Sequence, residues 1–425
     1  MSSYSNITPR IIDSVFDRSN LRAEFRLPMD NVYLATMRLA NVGFTSNTAS
    51  SYNKLLGAYG AIRQISLFDG SQLLEQVKLA PQILAFKNAK SRNDENISVN
   101  RKLKHNGIGY VVSGKDTITS NQFDVNQIKV AEQEPETENT GEPGWLSLKD
   151  VFSFLDRSMI VPTGVFKQFR LVVEYNDSEA LKRLCSLDNI APYTTLNTGL
   201  LLVDEVNEGE TRELMMKNYQ GVVYRPLEID TVIVPGIGGL ADTAAEKSKV
   251  QSQTYLLNGF VNKRLMRVAL IQEPTDVSTF INVSNEVTGF GQVCSMAQFA
   301  PQVQLRVNGM NKLAGKGISS ETGHASSMRG LAYLTDAWGD FTLIGGQNGV
   351  NWPFWANYVS NETLRGTQQY LGLAVDERIN ELQLQYSRTG HVSDVETSQT
   401  LRLHVVGEVE RAVILGQGGY NVVYA

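Results

Sequence analysis

The stretch VIVPGIGGLAD, Val232 to Asp242, decides the fold. A β-rich run, Asp230 to Val234, feeds a glycine loop that reads G-x-G-x-x-A at Gly236, Gly238 and Ala241. A helix-compatible segment, Thr243 to Val250, follows. In a dinucleotide-binding fold such glycines let the backbone approach a pyrophosphate at a helix N-terminus. That reading requires an acid about 20 residues further on, for the ribose hydroxyls. The sequence there is YLLNGF, Tyr255 to Phe260, without a carboxylate. Pro235 also interrupts the junction between strand and glycines, and DTAAEKSKVQSQ has almost no apolar stripe to lay on a sheet. The stretch reads instead as a glycine-rich exit from a strand.

Strands dominate the surroundings. NVYLATMRLANV alternates Val32, Leu34, Thr36 and Arg38 against Tyr33, Ala35, Met37 and Leu39. FKQFRLVVEYND, VNKRLMRVALIQ, INELQLQYSRTG and QTLRLHVVGEVERAVIL carry the same β-branched, period-two signature. Turn signals stand between them, at Asp69-Gly70, Asn106-Gly107, Asn258-Gly259, Asn308-Gly309 and Gly418-Gly419. Many strands without regular strand–helix alternation predict antiparallel sandwiches or barrels. Two phrases echo each other: ISLFDGSQLL (Ile65 to Leu74) and QLRVNGMNKL (Gln304 to Leu313) are each a strand, an Asx-Gly turn and a return. A second echo pairs FKQFRLVVEYND with INELQLQYSRTG. Both suggest two related β domains. The terminal GYNVVYA reads as a strand held in a sheet, in a central position.

Helix signals are few. Thr8 and Pro9 suit an N-cap and first helical position, ahead of a short amphipathic helix with Ile11, Ile12, Val15 and Phe16 on one face. Ser147 and Asp150 form a capping-box-like pair before Leu148, Val151, Phe152 and Leu155, one helical stripe. Ser178 opens a third candidate with Leu181, Leu184 and Cys185. The tract Glu132 to Gly144, EQEPETENTGEPG, carries five glutamates and no basic residue, and is expected to be a flexible, solvated loop inserted between strands.

The 425 residues exceed what one core usually fills, so two domains are expected. Hydrophobic content of 42% and charged content of 20% are those of an ordinary globular protein. A net charge of −5 argues against binding nucleic acid through phosphate neutralisation. Cys185 and Cys294 are too few for a disulfide framework or a cysteine metal site. The N-terminus lacks the apolar core of a signal peptide, so no secretion is expected, and no apolar run reaches the length of a spanning helix.

Catalytic patterns fail one by one. GMNKLAGKG, Gly309 to Gly317, puts Gly317 where a P-loop needs Ser or Thr. VDEVNEG, Val203 to Gly209, puts Val206 on a calcium-ligand position. Of the four histidines, His105, His324 and His391 lie in polar loops, and His404 alternates inside a strand. Arg101, Lys102 and Lys104 read as a solvated hairpin rim, or as a contact for an acidic partner. Trp352, Phe354 and Trp355 suit subunit-interface packing, or stacking on a sugar or base. The residues point to no catalytic, cofactor-binding or metal site, and to a structural or recognition protein.

RLPMDNVYLATMRLANVG, YGAIRQISLFDGSQLLEQV and SLKDVFSFLDRSMIVPTGVFKQFRLVVEYN resemble successive parts of the first barrel of double jelly-roll major capsid proteins of adenovirus-like, virophage-like and polinton-like DNA viruses. VQLRVNGMNKL, LAYLTDAWGDF and VGEVERAVILGQGGYNVVYA resemble parts of the second. The resemblance implies an all-β fold of two consecutive eight-stranded antiparallel jelly rolls, with a few short helices in loops. It places an N-terminal arm at 1–20, a first roll at 21–212 and a second at 213–425. It implies a homotrimeric, pseudo-hexagonal capsomer that meets neighbouring capsomers, penton and minor capsid or cement proteins, with no direct sequence-specific nucleic-acid binding. Its place would be the virion capsid, after synthesis in the host cytoplasm. Ile11, Ile12, Val15 and Phe16 would touch a neighbour or an internal membrane at the capsomer base, or simply cap the first barrel. Two other readings stay open: a receptor- or carbohydrate-binding β-sandwich such as a fibre or lectin, and a single-roll vertex protein.

Overall fold

The computed structural model describes residues 7–17, 21–45, 51–53, 61–91, 127–129, 145–177, 195–235, 250–274, 302–313, 317–319, 333, 336–339, 342–344, 351–353, 370–389, 400–416 and 419–424. In chain order the strands of the first half are β1 (Ile7–Ile12), β2 (Val15–Asp17), β3 (Arg22–Arg26), β4 (Val32–Leu34), β5 (Arg38–Thr45), β6 (Ser51–Asn53), β7 (Ile62–Asp69), β8 (Gln72–Val77), β9 (Gln127–Lys129), β10 (Trp145–Ser147), β11 (Ile160–Pro162), β12 (Phe169–Tyr175) and β13 (Thr195–Val206). Those of the second half are β14 (Gly221–Tyr224), β15 (Leu227–Val234), β16 (Val250–Leu256), β17 (Arg264–Pro274), β18 (Gln302–Val307), β19 (Met310–Asn311), β20 (Ile318–Ser319), β21 (Thr342–Ile344), β22 (Asn351–Pro353), β23 (Tyr370–Arg378), β24 (Leu382–Thr389), β25 (Leu401–Val409), β26 (Arg411–Gly416) and β27 (Gly419–Tyr424).

Eight strands of each half form two facing antiparallel sheets with one shared order. The first half pairs β1–β13–β5–β10 against β3–β12–β7–β8, and the second pairs β15–β25–β17–β23 against β16–β24–β18–β19. Counted along either roll, the sheets run first–eighth–third–sixth and second–seventh–fourth–fifth, a jelly roll. Both sequence echoes fall on equivalent places. ISLFDGSQLL and QLRVNGMNKL are the fourth and fifth strands of their rolls with the turn between; the two tyrosine phrases are the seventh strands.

Period-two patterning fills the interiors. In β12, Phe169, Leu171, Val173 and Tyr175 face the first core beside Phe25, Ile65 and Leu67. Val268, Leu270, Leu403, Val405, Leu384 and Tyr386 do the same for the second. NVYLATMRLANV is two strands, β4 and β5, both paired with β13. QTLRLHVVGEVERAVIL is likewise divided at Glu410 into β25 and β26.

The N-terminal helix expected over Thr8 to Phe16 does not form. Ile7–Ile12 is the first strand of the first roll, in register with β13 from Ile7↔Val206 to Ile12↔Leu201. β-Branched Ile7, Thr8, Ile11 and Ile12 suit this strand, and a whole sheet edge outweighs one capping signal. The segment is therefore no separate arm. The boundary drawn at 212/213 falls inside a helix, Gly209–Asn218, that joins the rolls. The stripe after Ser147 forms two short helices, Leu148–Val151 and Ser153–Arg157, broken at extended Phe152, and Ser147 makes no side-chain cap. The candidates at Ser178 and Thr243, the acidic tract 132–144 and Asn106-Gly107 lie outside the described residues. β15 ends at Val234, before Pro235; the glycines beyond lie outside as well.

Alternating strand directions send the connections to two ends. In the first roll the connections 27–37, 70–71 and 148–168 share one end, where Leu27 N–H donates to Phe169 O, Ala35 N–H to Met159 O and Gly70 N–H to Gln168 O. The second roll repeats this: Leu257 N–H donates to Leu382 O, Asn262 N–H to Ile379 O and Asn308 N–H to Glu381 O. Apart from 148–168, which holds the two short helices, these connections are short. The connections 46–61 and 78–144 in the first roll and 275–301 and 312–369 in the second leave from the opposite end.

A third sheet, β14–β26–β27, lies at the short-connection end. GYNVVYA is in a sheet as expected, but as an edge strand rather than a central one, because β27 pairs only with β26 among the described residues. Gly221 starts β14 with φ +91°, and a Cβ there would sit 2.0 Å from Val413 O. Gly221→Ala is expected to cost about 1–3 kcal/mol, from backbone strain and lost β14–β26 pairing. A midpoint of urea unfolding equal to wild type would show that this approach is not needed.

Candidate functional site at the seam and the short-connection end

The two rolls meet along the fifth-strand flank of the first. A bulge between Leu67 and Phe68 leaves Leu74 as the extra residue in β8, so Leu74 and Glu75 are both buried. The Leu74 carbonyl accepts from Tyr224 Oη at 2.6 Å and from Arg411 Nη1 at 3.3 Å, reaching out of the first roll. The helix Ala80–Ser91 follows, burying Ile83, Leu84 and Phe86. The Phe86 ring stands edge-on to Trp338, centroids 4.9 Å apart. Trp338 donates from Nε1 to Val268 O at 2.8 Å and carries the Arg267 guanidinium 4.1 Å above its ring. Arg267 binds Glu408 at 2.8 Å through Nε and donates from Nη1 to Ala337 O at 2.8 Å. Ala269, Ile271 and Val406, on the outer face of the second roll, thus belong to the first roll's core cluster.

Glu75, 1% exposed, is buried in the first roll beside this seam. Its carboxylate accepts from Ser153 N and Oγ, each at 3.0 Å, and from Phe154 N at 2.7 Å, holding the start of the helix Ser153–Arg157. Burial pushes its pKa above the ordinary carboxylate value, against the pull of those donors and of Lys87. Burial lowers the pKa of Lys87, whose Nζ donates to Asp150 O and Val151 O.

The third sheet straps both rolls together at the short-connection end. Tyr420 Oη donates to Asp69 Oδ2 at 2.8 Å and packs on Phe166, centroids 4.9 Å apart. Arg411 Nη2 binds Glu228 at 2.9 Å, and the Lys263 and Arg411 cations lie over the Tyr424 ring. The opposite face of this sheet exposes Val223, Ile414 and Val423. Exposed Met29, Met159, Leu214 and Met310 lie at the same end. A groove of about 550 Å³ runs between 157–160 and the helix Gly209–Asn218, whose Thr211, Leu214, Met215 and Asn218 line it at helical spacing. Burial pushes the Tyr219 phenol in its floor up to about 12.

The residues singled out from sequence divide. Strand geometry sends Ile11 and Val15 out to solvent and turns Ile12 and Phe16 inward, Phe16 edge-on to Tyr175 at 6.4 Å. They share no face. Trp352 lies in β22 opposite Leu343, while Phe354 and Trp355 lie outside the described residues, as do Arg101, Lys102, Lys104, His105, His324 and His391. His404 is the hydrogen-bonded strand histidine expected, buried with Nδ1 2.9 Å from Thr231 Oγ1. Among the described residues, no group of three or more His, Cys, Asp or Glu side chains could hold a metal ion, and no helix is long and apolar enough to cross a membrane. Sequence reasoning missed Phe86, Trp338, Tyr224 and Tyr420. Pro81, at the start of PQILAFK, was the available signal for the helix that carries Phe86.

No family model matches the sequence, and no curated protein does. Solved structures match over the whole chain. PBCV-1 VP54, fitted into a reconstruction of the virophage Sputnik, superimposes with a TM-score of 0.62 at 11% identity, over 100% of this chain and 98% of that one. The mavirus major capsid protein gives 0.53 at 9% identity, over 99% and 90%. The Faustovirus major capsid protein gives 0.51 at 9% identity, over 98% and 92%. With two complete rolls, the single-roll reading falls. The chain has the double jelly-roll fold of these major capsid proteins.

Proposed function

We propose that this chain is a major capsid protein, a non-enzymatic shell subunit that trimerises into a pseudo-hexagonal capsomer. The observation that carries the reading is the pair of equivalent rolls in series, matching capsid proteins end to end. Three such chains place six like rolls around one axis, an outline that tiles a flat lattice. The seam supports rigidity: a buried aromatic pair and a sheet strap join the two rolls. The loop-bearing end then faces outward, with the acidic tract among its loops, and the plain end with its exposed methionines, Val223 and Ile414 faces the minor proteins or an internal membrane. Neighbouring capsomers and penton complete the set of partners, and the virion capsid is the location, following synthesis in the host cytoplasm.

Light scattering on the purified chain, with negative-stain images of the same sample, tests this. A mass of about three times 47.0 kDa with a hexagonal outline is expected. A monomer, or a dimer without three-fold outline, would sink the reading.

A further inference from the structure

Resting on the trimer reading, we propose that a second copy of this chain covers the outer face of the sheet β1–β13–β5–β10. This repeats between chains the covering that the first roll gives the second within one chain. The two rolls share one strand order, so each surface of one has a counterpart on the other. In the second roll the outer face of the first–eighth–third–sixth sheet is covered: Ala269, Ile271 and Val406 are each fully buried. The cover is the second roll's own Ala337 and Trp338 together with the fifth-strand flank of the first roll and the helix after it, whose Phe86 meets Trp338.

Among the described residues, neither core cluster extends over the apolar side chains Ile11, Leu200 and Leu202 of the counterpart face on the first roll. Register aligns Ile11, Leu202 and Arg38 in one row across β1, β13 and β5, with Leu200 opposite Ala40 in the next row toward the long-connection end. Ile11 is 63% exposed; Leu200 and Leu202 are part-buried and belong to neither core cluster. The chemistry matches the covered face as well. There, apolar side chains sit beside Arg267 and Glu408. Here they sit beside Arg38 and Asp204, the latter accepting from Thr36 Oγ1 at 2.7 Å. The occupant that fits is the flank of the second roll that carries β19 in the next copy, the counterpart of β8. Such a contact joins unlike surfaces, and three repeats close a ring of six rolls.

The test compares Ile11→Glu and Leu202→Glu with Val223→Glu, which lies on the exposed sheet at the short-connection end. Each is read by light scattering across a concentration series, with near-ultraviolet circular dichroism as the check on folding. A charge placed in the centre of a buried apolar contact is expected to weaken association by about a hundredfold. Ile11→Glu and Leu202→Glu should therefore be folded monomers at concentrations where wild type and Val223→Glu are trimers. Should Leu202→Glu fail to fold, Ile11→Glu decides, since that side chain already faces solvent. Trimers of both variants at wild-type strength would overturn the placement and leave the trimer reading standing. A monomeric wild type would overturn both.

Discussion

Phe86→Ala lowers the stability of the folded chain by about 3–5 kcal/mol, the cost of removing a fully buried aromatic ring from a packed core. Phe86 is 1% exposed and meets Trp338 edge-on, and the Arg267 guanidinium lies over the Trp338 ring. Its neighbours are anchored in two different rolls, so they cannot collapse into the space without shifting one roll against the other. The cavity should therefore persist, placing the cost at the upper part of that range. Urea unfolding measures it, with Phe86→Leu as the near-isosteric control expected to cost less than about 1.5 kcal/mol. A loss below about 1 kcal/mol for the alanine variant would mean that the rolls unfold independently and the seam contributes little.

Glu75→Ala is expected to cost about 2–4 kcal/mol, because it strands the Ser153 and Phe154 N–H groups without an acceptor in a buried site. Burial raises the native pKa above the ordinary 4.5, so between the two values the native state binds more protons than the unfolded chain. The contribution of this group to stability therefore falls as pH rises through its native pKa. It is most favourable once the carboxyl is protonated. Glu75→Gln, neutral at every pH, should flatten that part of the pH dependence of the thermal midpoint. A midpoint difference between the Glu75→Gln variant and wild type that stays constant across the window would show that Glu75 is not held in a raised state.

The strand phrases, the fold class and even the equivalence of the two halves are legible in the sequence, since alternation at period two and an Asx-Gly turn are local signals. The N-terminal segment misleads because Thr8-Pro9 gives a helix-start signal while β1 is fixed by pairing with β13, far along the chain. Phe86 and Trp338 are hidden for a related reason. Neither has a neighbour within the same element that reveals its partner, and their contact exists only once two rolls are placed side by side. His404 is readable because a histidine inside an alternating strand needs only a cross-strand hydroxyl, and Thr231 supplies it.

The strap also sets an order of events in time. Tyr420 reaches Asp69 across 351 residues of sequence, one of the most distant pairings among the described residues. Contacts of such separation form late, since a long loop must close first. During synthesis the first roll can fold while the second is still being made, and β26 and β27 emerge only after both. Until then the flank that carries Leu74 is unlatched, and its apolar surface is open to a wrong neighbour. The yield of correctly joined chains is thus governed by how fast two terminal strands find a turn made long before them.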